Sequence, residues 1–330
     1  MIQYTFQQGI AQAVGTLQRG GLTAFPTETV YGLGADTRNP LAVRRIFAVK
    51  GRPLGHPLII HTAEGADLDR WARKVPVVAL LLAQRFWPGP LTLILKRRPE
   101  VLDIVTGGQD TVGLRCPAHP AALALLQAFG EGVVAPSANR FGRLSPTCAA
   151  DVVAELGDAV DWIIDGGPCQ IGIESTILDL SGETPRILRP GAVTTLALAE
   201  VLGEIPERLT ATSPRSPGSL PSHYAPRSFL RLVEDGCLED IALDYLKKGR
   251  NVAVLSKRQP RESLTGALWY LMPTTPISFA HRLYAQLRAV DSVANQHILV
   301  ERPPAVLEWE AVKDRLERAA AGSRVREVPL

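Results

Sequence analysis

The feature that most constrains this chain is the stretch 26–61, PTETVYGLGADTRNPLAVRRIFAVKGRPLGHPLIIH. It follows the run 22–25, short enough for a buried strand, and opens on Pro26, which cannot donate to a strand ladder. Thr27, Glu28, Thr29 and Tyr31 come next, then Gly32 and Gly34, which read as a turn, and a helix over 41–49. That helix runs out at Lys50-Gly51-Arg52-Pro53, where glycine permits a left-handed turn and proline forbids continuation. A second apolar run, 57–60, closes on His61. Hydroxyls, an aromatic ring, two cations and a histidine are thereby expected to converge on strand ends. Singly, each of these residues reads as well as punctuation, a cap or a solvated charge. Their density beside buried strands is what marks a site.

Composition narrows the classes. A chain of 330 residues, 46% hydrophobic and 21% charged, can bury a substantial core and divide into two domains. Its 36 basic and 33 acidic residues leave a net charge of only +3, unlike a nucleic-acid coat, so any nucleic-acid contact is expected to be local or indirect. Cys116, Cys148, Cys169 and Cys237 have no CxxC spacing, which points to a reduced cytoplasmic setting and away from structural zinc. The N-terminal segment lacks a signal pattern and no apolar run reaches about 18 residues, so neither export nor a membrane span is expected.

In chain order, helical spacing over 6–17 stops at Gly20 and Gly21, and 77–86 reads as a helix ended by Trp87-Pro88-Gly89-Pro90, a rigid corner before a strand at 91–95. The strand 111–115 delivers Arg115 at its far end, where a planar guanidinium suits a carboxylate. A helix over 119–129 and a strand over 132–135 lead into Ser137-Ala138-Asn139, small polar groups that can approach phosphate and sugar oxygens closely, ahead of a helix starting near Ser145-Pro146-Thr147. A short strand at 161–165 precedes a hairpin whose first strand starts at Ser175 and Thr176 and whose second ends at Arg189, so that these residues can face one site. Residues 207–228 turn rich in proline, serine and threonine, the composition of a linker. Beyond it, short strands at 229–233, 252–255, 267–272 and 297–300 alternate with helices at 238–248, 278–290 and 306–320, the rhythm of a small parallel α/β domain.

The string PTETVYGLG, then Lys50-Gly51-Arg52-Pro53, then Pro57-Leu58 and His61, closely resembles the signature of the YrdC-like threonylcarbamoyl-AMP synthases in their long, two-domain form. The Leu114-Arg115-Cys116-Pro117, Glu174-Ser175-Thr176, Arg189-Pro190-Gly191 and His223-Tyr224-Ala225-Pro226 elements are similar too. The resemblance implies an α/β fold: a YrdC-like twisted mixed sheet with flanking helices over 1–206, a linker over 207–228 that gates the active site, and a smaller Rossmann-like parallel domain over 229–330. It implies a nucleotidyltransferase that condenses L-threonine, bicarbonate and ATP into threonylcarbamoyl-AMP and pyrophosphate, for tRNA threonylcarbamoyladenosine formation by a downstream transfer machinery. Before His223 this chain departs from the family, with Ser219 and Ser222 where a methionine and a basic residue are usual, so that the linker is expected either to close less firmly or to use Arg215 or Arg227 instead.

On this reading Lys50 and Arg52 are catalytic and also bind ATP. Thr29, His61, Arg115 and Ser175 lie on the threonine side, and His56, Thr111, Ser137, Asn139, Ser145, Arg189 and Tyr224 on the nucleotide side. Three anionic reactants demand matching positive charge, assigned to Lys50, Arg52, Arg115 and Arg189 around one pocket. No carboxylate cluster of metal-ligand type is visible, so Mg²⁺ is expected on the ATP phosphates. His56 and His61 are not expected to form a metal pair, because a strand through Pro57 would put them on opposite faces. Lys50→Ala and Arg115→Ala are each expected to abolish adenylate formation with little change in thermal unfolding. Two rival readings are a carbamoyltransferase of the hydrogenase-maturation kind and a noncatalytic RNA-binding protein.

Overall fold

The computed structural model describes residues 6–261, 264–291 and 296–324; residues 1–5 of the N-terminal segment and 325–330 of the expected C-terminal domain lie outside them. The chain divides into two compact units, Met1–Phe141 with Ser145–Ser219, and Gly142–Leu144 with Leu220–Leu330.

Among the described residues the first unit contains the strands β1 (Thr23–Phe25), β2 (Gly32–Asp36), β3 (Ile59–His61), β4 (Leu91–Lys96), β5 (Thr111–Arg115), β6 (Val133–Val134), β7 (Trp162–Ile163), β8 (Thr176–Asp179), β9 (Arg186–Arg189) and β10 (Glu207–Arg208). They form one mixed sheet in the order β10-β9-β8-β4-β5-β3-β6-β2-β1-β7. Its helices are α1 (Phe6–Gln18), α2 (Pro40–Lys50), α3 (Val77–Phe86), α4 (Asp103–Thr106), α5 (Pro120–Phe129), α6 (Ala149–Leu156) and α7 (Thr195–Leu202). Local chemistry accounts for the two that bear on the site. α2 starts on Asn39, whose side chain accepts from Leu41 N and Ala42 N, carries Pro40 at its first position, and stops at Gly51 with φ +62°. α5 starts in the same way on His119 and Pro120.

Gly32 and Gly34 do not make the turn expected from the sequence. They lie in β2, which pairs with β1 on one side and β6 on the other. A Cβ on Gly34 would fall 2.8 Å from the Phe25 ring and 3.0 Å from Val133, so glycine here makes room for Phe25 across the sheet. Leu33 and Ala35, on the other face, join the main core.

The same alternation runs through the sheet centre and places the site. Ile60, Leu93, Val112, Leu114 and Leu178 point into the main core. Their neighbours point the other way: His61 registers with Arg115, Ile59 with Gly113, Ile94 with Gly113 and Thr92 with Ile177. Ile59, Ile94, Ile177 and Leu188 form a small apolar floor on that second face. Polar side chains stand around it.

In the second unit β11 (Phe229–Val233), β12 (Asn251–Ser256), β13 (Ala267–Leu271) and β14 (Gln296–Glu301) form a sheet in the order β11-β14-β12-β13, every pair parallel. It is accompanied by α8 (Leu238–Lys247), α9 (Pro276–Asp291) and α10 (Glu310–Arg324). At its carboxyl edge the buried Glu301 is held by Ser256 Oγ (2.8 Å), Lys257 N (2.7 Å) and Lys257 Nζ (2.9 Å). No helix among the described residues is long and apolar enough to cross a membrane, and the four cysteines are free thiols.

Candidate active site

At one edge of the site, α2, whose Ala42, Val43, Ile46 and Phe47 pack in the main core, hands the chain to a turn rich in positive charge. Lys50, 3% exposed, donates from Nζ to the carbonyls of Ser137 and Asn139. It thereby pins the segment that continues β6, whose Ser137 bridges to Gly32. Burial, and then the like charge of Arg52, holds the Lys50 ammonium well below the ordinary lysine range. Arg52 donates to the Pro57 carbonyl at 2.8 Å and lies 5.7 Å from the Phe141 ring, against which His56 also packs. Burial, then Arg52 and Arg215, lowers the His56 pKa. Thr111 begins β5 at this edge, on the same face as Arg115 but four residues away, about 13 Å along the strand.

The opposite edge is organised by Arg115. Its Nη2 donates to Glu28 Oε1 at 2.6 Å and to Thr29 Oγ1 at 3.0 Å, and its Nε to the Gly89 carbonyl at 3.3 Å. Nη1 makes no hydrogen bond to the described residues. The second Glu28 oxygen accepts from Ala118 N, so Glu28 ties the start of the signature to the turn after β5. Thr29 is held by Thr27, whose hydroxyl accepts from Thr29 N and Val30 N. Across β4, β8 and β9 the polar strip continues: Thr92 and Ser175 hydroxyls are 2.8 Å apart, and Arg189 donates to Ser175 O and Ser175 Oγ, each at 3.0 Å. Ser145 donates to Glu174, next to Ser175. The four cations assigned from sequence are each under a tenth exposed: Lys50 and Arg52 stand together at the end of α2, while Arg115 and Arg189 are held by the hydroxyls of Thr29 and Ser175 respectively.

Two expectations change. Tyr31 is not a site group: its hydroxyl donates to the Gly167 carbonyl at 2.8 Å and accepts from Gly166 N, anchoring the signature loop from behind. His56 lies before β3 rather than in it, so the opposite-face reasoning against a histidine pair does not apply; the two rings pack separately, His56 on Phe141 and His61 on Phe25. Glu28, Thr92 and Gln109 were passed over in the sequence, where only the PTET string could have drawn attention to Glu28. Tyr224 belongs to the second unit, 5.9 Å from the Tyr284 ring and with the Arg315 guanidinium 5.1 Å above it. Its nucleotide-side assignment stands on the sequence resemblance.

His61 gives a pH prediction. Burial, then the Arg115 charge, pulls its pKa down to about 3 from an ordinary 6.5. Between those values the unfolded chain binds a proton that the folded chain refuses, so stability is complete above about pH 6.5 and falls as the pH drops towards 3. Denaturant unfolding of His61→Gln against pH is expected to show a shallower acid slope than the parent, by a few kcal/mol at most.

Comparison with known proteins places these elements in a family. A family model described as Sua5_yciO_yrdC, Telomere recombination, matches residues 15–191, and one described as Threonylcarbamoyl-AMP synthase, C-terminal domain, matches 193–321. Threonylcarbamoyl-AMP synthases of Pyrococcus abyssi and Bacillus subtilis are each 38% identical over 96% of this chain and 95% and 94% of their own. A crystal structure of P. abyssi Sua5 complexed with L-threonine superposes with a TM-score of 0.88 at 36% identity, covering 98% of this chain and 96% of that one. This chain belongs to the threonylcarbamoyl-AMP synthase family, in the form with a second C-terminal domain, and is an enzyme of the nucleotidyltransferase type.

Proposed function

We propose that this chain condenses L-threonine, bicarbonate and ATP into threonylcarbamoyl-AMP and pyrophosphate, supplying tRNA threonylcarbamoyladenosine formation in the cytoplasm. Lys50 carries the reading. A charged side chain is almost never buried without a partner, yet this ammonium meets only carbonyls and makes no ion pair among the described residues. A bound polyphosphate provides the missing counter-charge.

At the other edge, Arg115 keeps Nη1 for a substrate carboxylate, and the threonine complex of the P. abyssi relative supports that substrate. The hydroxyls of Thr29, Thr92 and Ser175 are suited to the threonine hydroxyl; a site built to pair it disfavours valine, which would leave those groups unsatisfied. Bicarbonate gives up hydroxide to yield CO2, the neutral threonine amine forms the C–N bond of a carbamate and loses a proton that completes a water molecule, and the carbamate oxygen then forms a new bond to the α-phosphorus while the bond to the β-phosphate oxygen breaks and pyrophosphate departs. Such a transfer needs alignment and charge stabilisation rather than a covalent nucleophile. In this reading Lys50, Arg52 and Arg189 hold the phosphates and Arg115 holds the acceptor. Glu28 and Glu174 are engaged by Arg115 and Ser145, and no group of three or more His, Cys, Asp or Glu among the described residues is placed to hold a metal. On this reading Mg²⁺ enters on the ATP phosphates, as part of the MgATP substrate.

The test is pyrophosphate release by the purified chain, with the adenylate identified by mass spectrometry. Release that requires both threonine and bicarbonate is expected. Release without threonine, or RNA binding without turnover, overturns the reading.

A further inference from the structure

We propose that Arg215 is an additional ligand of the ATP polyphosphate, held over the nucleotide edge by a clasp with Gln109; this rests on the functional reading above. The backbone of Arg215 is gripped on both sides by one carboxamide: Arg215 N donates to Gln109 Oε1 at 2.7 Å, and Gln109 Nε2 donates to Arg215 O at 3.0 Å. The amide thereby imitates a rung of a strand ladder and fixes the segment to the turn that starts β5.

The side chain is fixed as well. Nη2 donates to the Gly107 carbonyl at 2.8 Å, and a Cβ placed on Gly55 would lie 3.3 Å from Nη1. The guanidinium therefore rests on the turn that joins Arg52 to His56. Two residues on, the Pro217 carbonyl accepts from Arg189 Nη1 at 3.0 Å, so the segment crosses from the nucleotide edge to the Arg189 strip.

Most exposed arginines are solvated and find a carboxylate at low benefit. Arg215 is exposed, doubly anchored, and makes no ion pair among the described residues. His56, in the turn on which the guanidinium rests, feels the positive charge of both Arg52 and Arg215. Bringing cations together costs Coulomb energy in the empty site, and a polyanion with several oxygens turns that cost into attraction. The place of Arg215, at the outer end of the Lys50–Arg52 edge, suits the leaving pyrophosphate portion of ATP.

The test measures initial rates of the full chain with ATP and threonine varied separately, and inhibition by added pyrophosphate, for Arg215→Gln, Arg215→Lys and Gln109→Ala. Arg215→Gln is expected to raise the ATP KM and weaken pyrophosphate inhibition about tenfold, with the threonine KM within about twofold of the parent. The lysine variant should recover part of the loss, and Gln109→Ala should shift both ATP and pyrophosphate in the same direction by less. The difference between parent and Arg215→Gln should narrow as salt is raised. An unchanged ATP KM and pyrophosphate inhibition, or equal rises in the ATP and threonine KM values, would overturn the proposal. A parent enzyme that fails to release pyrophosphate with all three substrates refutes the functional reading instead.

Discussion

Lys50→Met is expected to lower threonylcarbamoyl-AMP formation by roughly 10³-fold or more while leaving the folded state within about 2 kcal/mol of the parent. The two halves of that expectation have different causes. The activity loss follows from removing a buried amine that donates to two carbonyls and makes no ion pair among the described residues. The small stability change follows from opposing terms. Methionine leaves the Ser137 and Asn139 carbonyls without their donor, but it also removes the cost of desolvating an ammonium, and it keeps an unbranched side chain only one heavy atom shorter.

The pH dependence separates these terms. Because burial and Arg52 lower the folded-state pKa of Lys50, the unfolded chain holds a proton that the folded chain lacks over the window from that pKa up to about 10.4. Stability of the parent should therefore rise with pH through that window, and Lys50→Met should flatten the rise. Thermal unfolding followed by calorimetry at several pH values, together with rates under saturating substrates, checks both. Retained turnover in Lys50→Met would remove the basis of the proposed function.

Arg115→Ala is expected to fail differently. Arg115 and Glu28 pair at 2.6 Å with side chains only 5% and 4% exposed, so removing the guanidinium strands a buried carboxylate. Breaking a buried pair from one side costs about 3–5 kcal/mol, whereas replacing both partners by neutral groups is often close to neutral. Arg115→Ala should thus lose stability as well as activity, which revises the expectation drawn from the sequence that unfolding would barely change. Glu28→Gln combined with Arg115→Gln should regain most of the stability and none of the threonine binding. Denaturant unfolding of the parent, Arg115→Gln, Glu28→Gln and the double variant gives the coupling energy, and titration calorimetry with threonine gives the binding. Additive stability losses would mean that the pair is not coupled as its geometry requires.

Much of the fold was legible because it is written in local periodicity and punctuation. The strands Thr111–Arg115 and Phe229–Val233 and the helix Val77–Phe86 fall where apolar spacing and the neighbouring Gly and Pro residues put them. The parallel pairing of the second unit follows from the alternation of short strands and helices. The hairpin that brings Ser175 to Arg189 was equally readable, since the two residues stand at the open end of two short strands joined by one turn. Gly32 and Gly34 were misread for an instructive reason. A glycine signals a turn unless a bulky neighbour needs the space, and the neighbour here, Phe25, approaches from the adjacent strand.

By itself the sequence determined which chemistry the chain can offer: cations, hydroxyls and small polar groups set at the ends of apolar runs, in a string similar to a known enzyme family. Only the tertiary structure decided which of those groups meet. Arg115 finds Glu28 across 87 positions and Arg215 finds Gln109 across 106. Such meetings depend on strand order and on side-chain alternation across β3, β5, β4 and β8. The physical reason is range. Capping, turn formation and amphipathic spacing act between near neighbours along the chain, whereas Coulomb attraction, desolvation and close packing depend on distance through space, which no local pattern encodes.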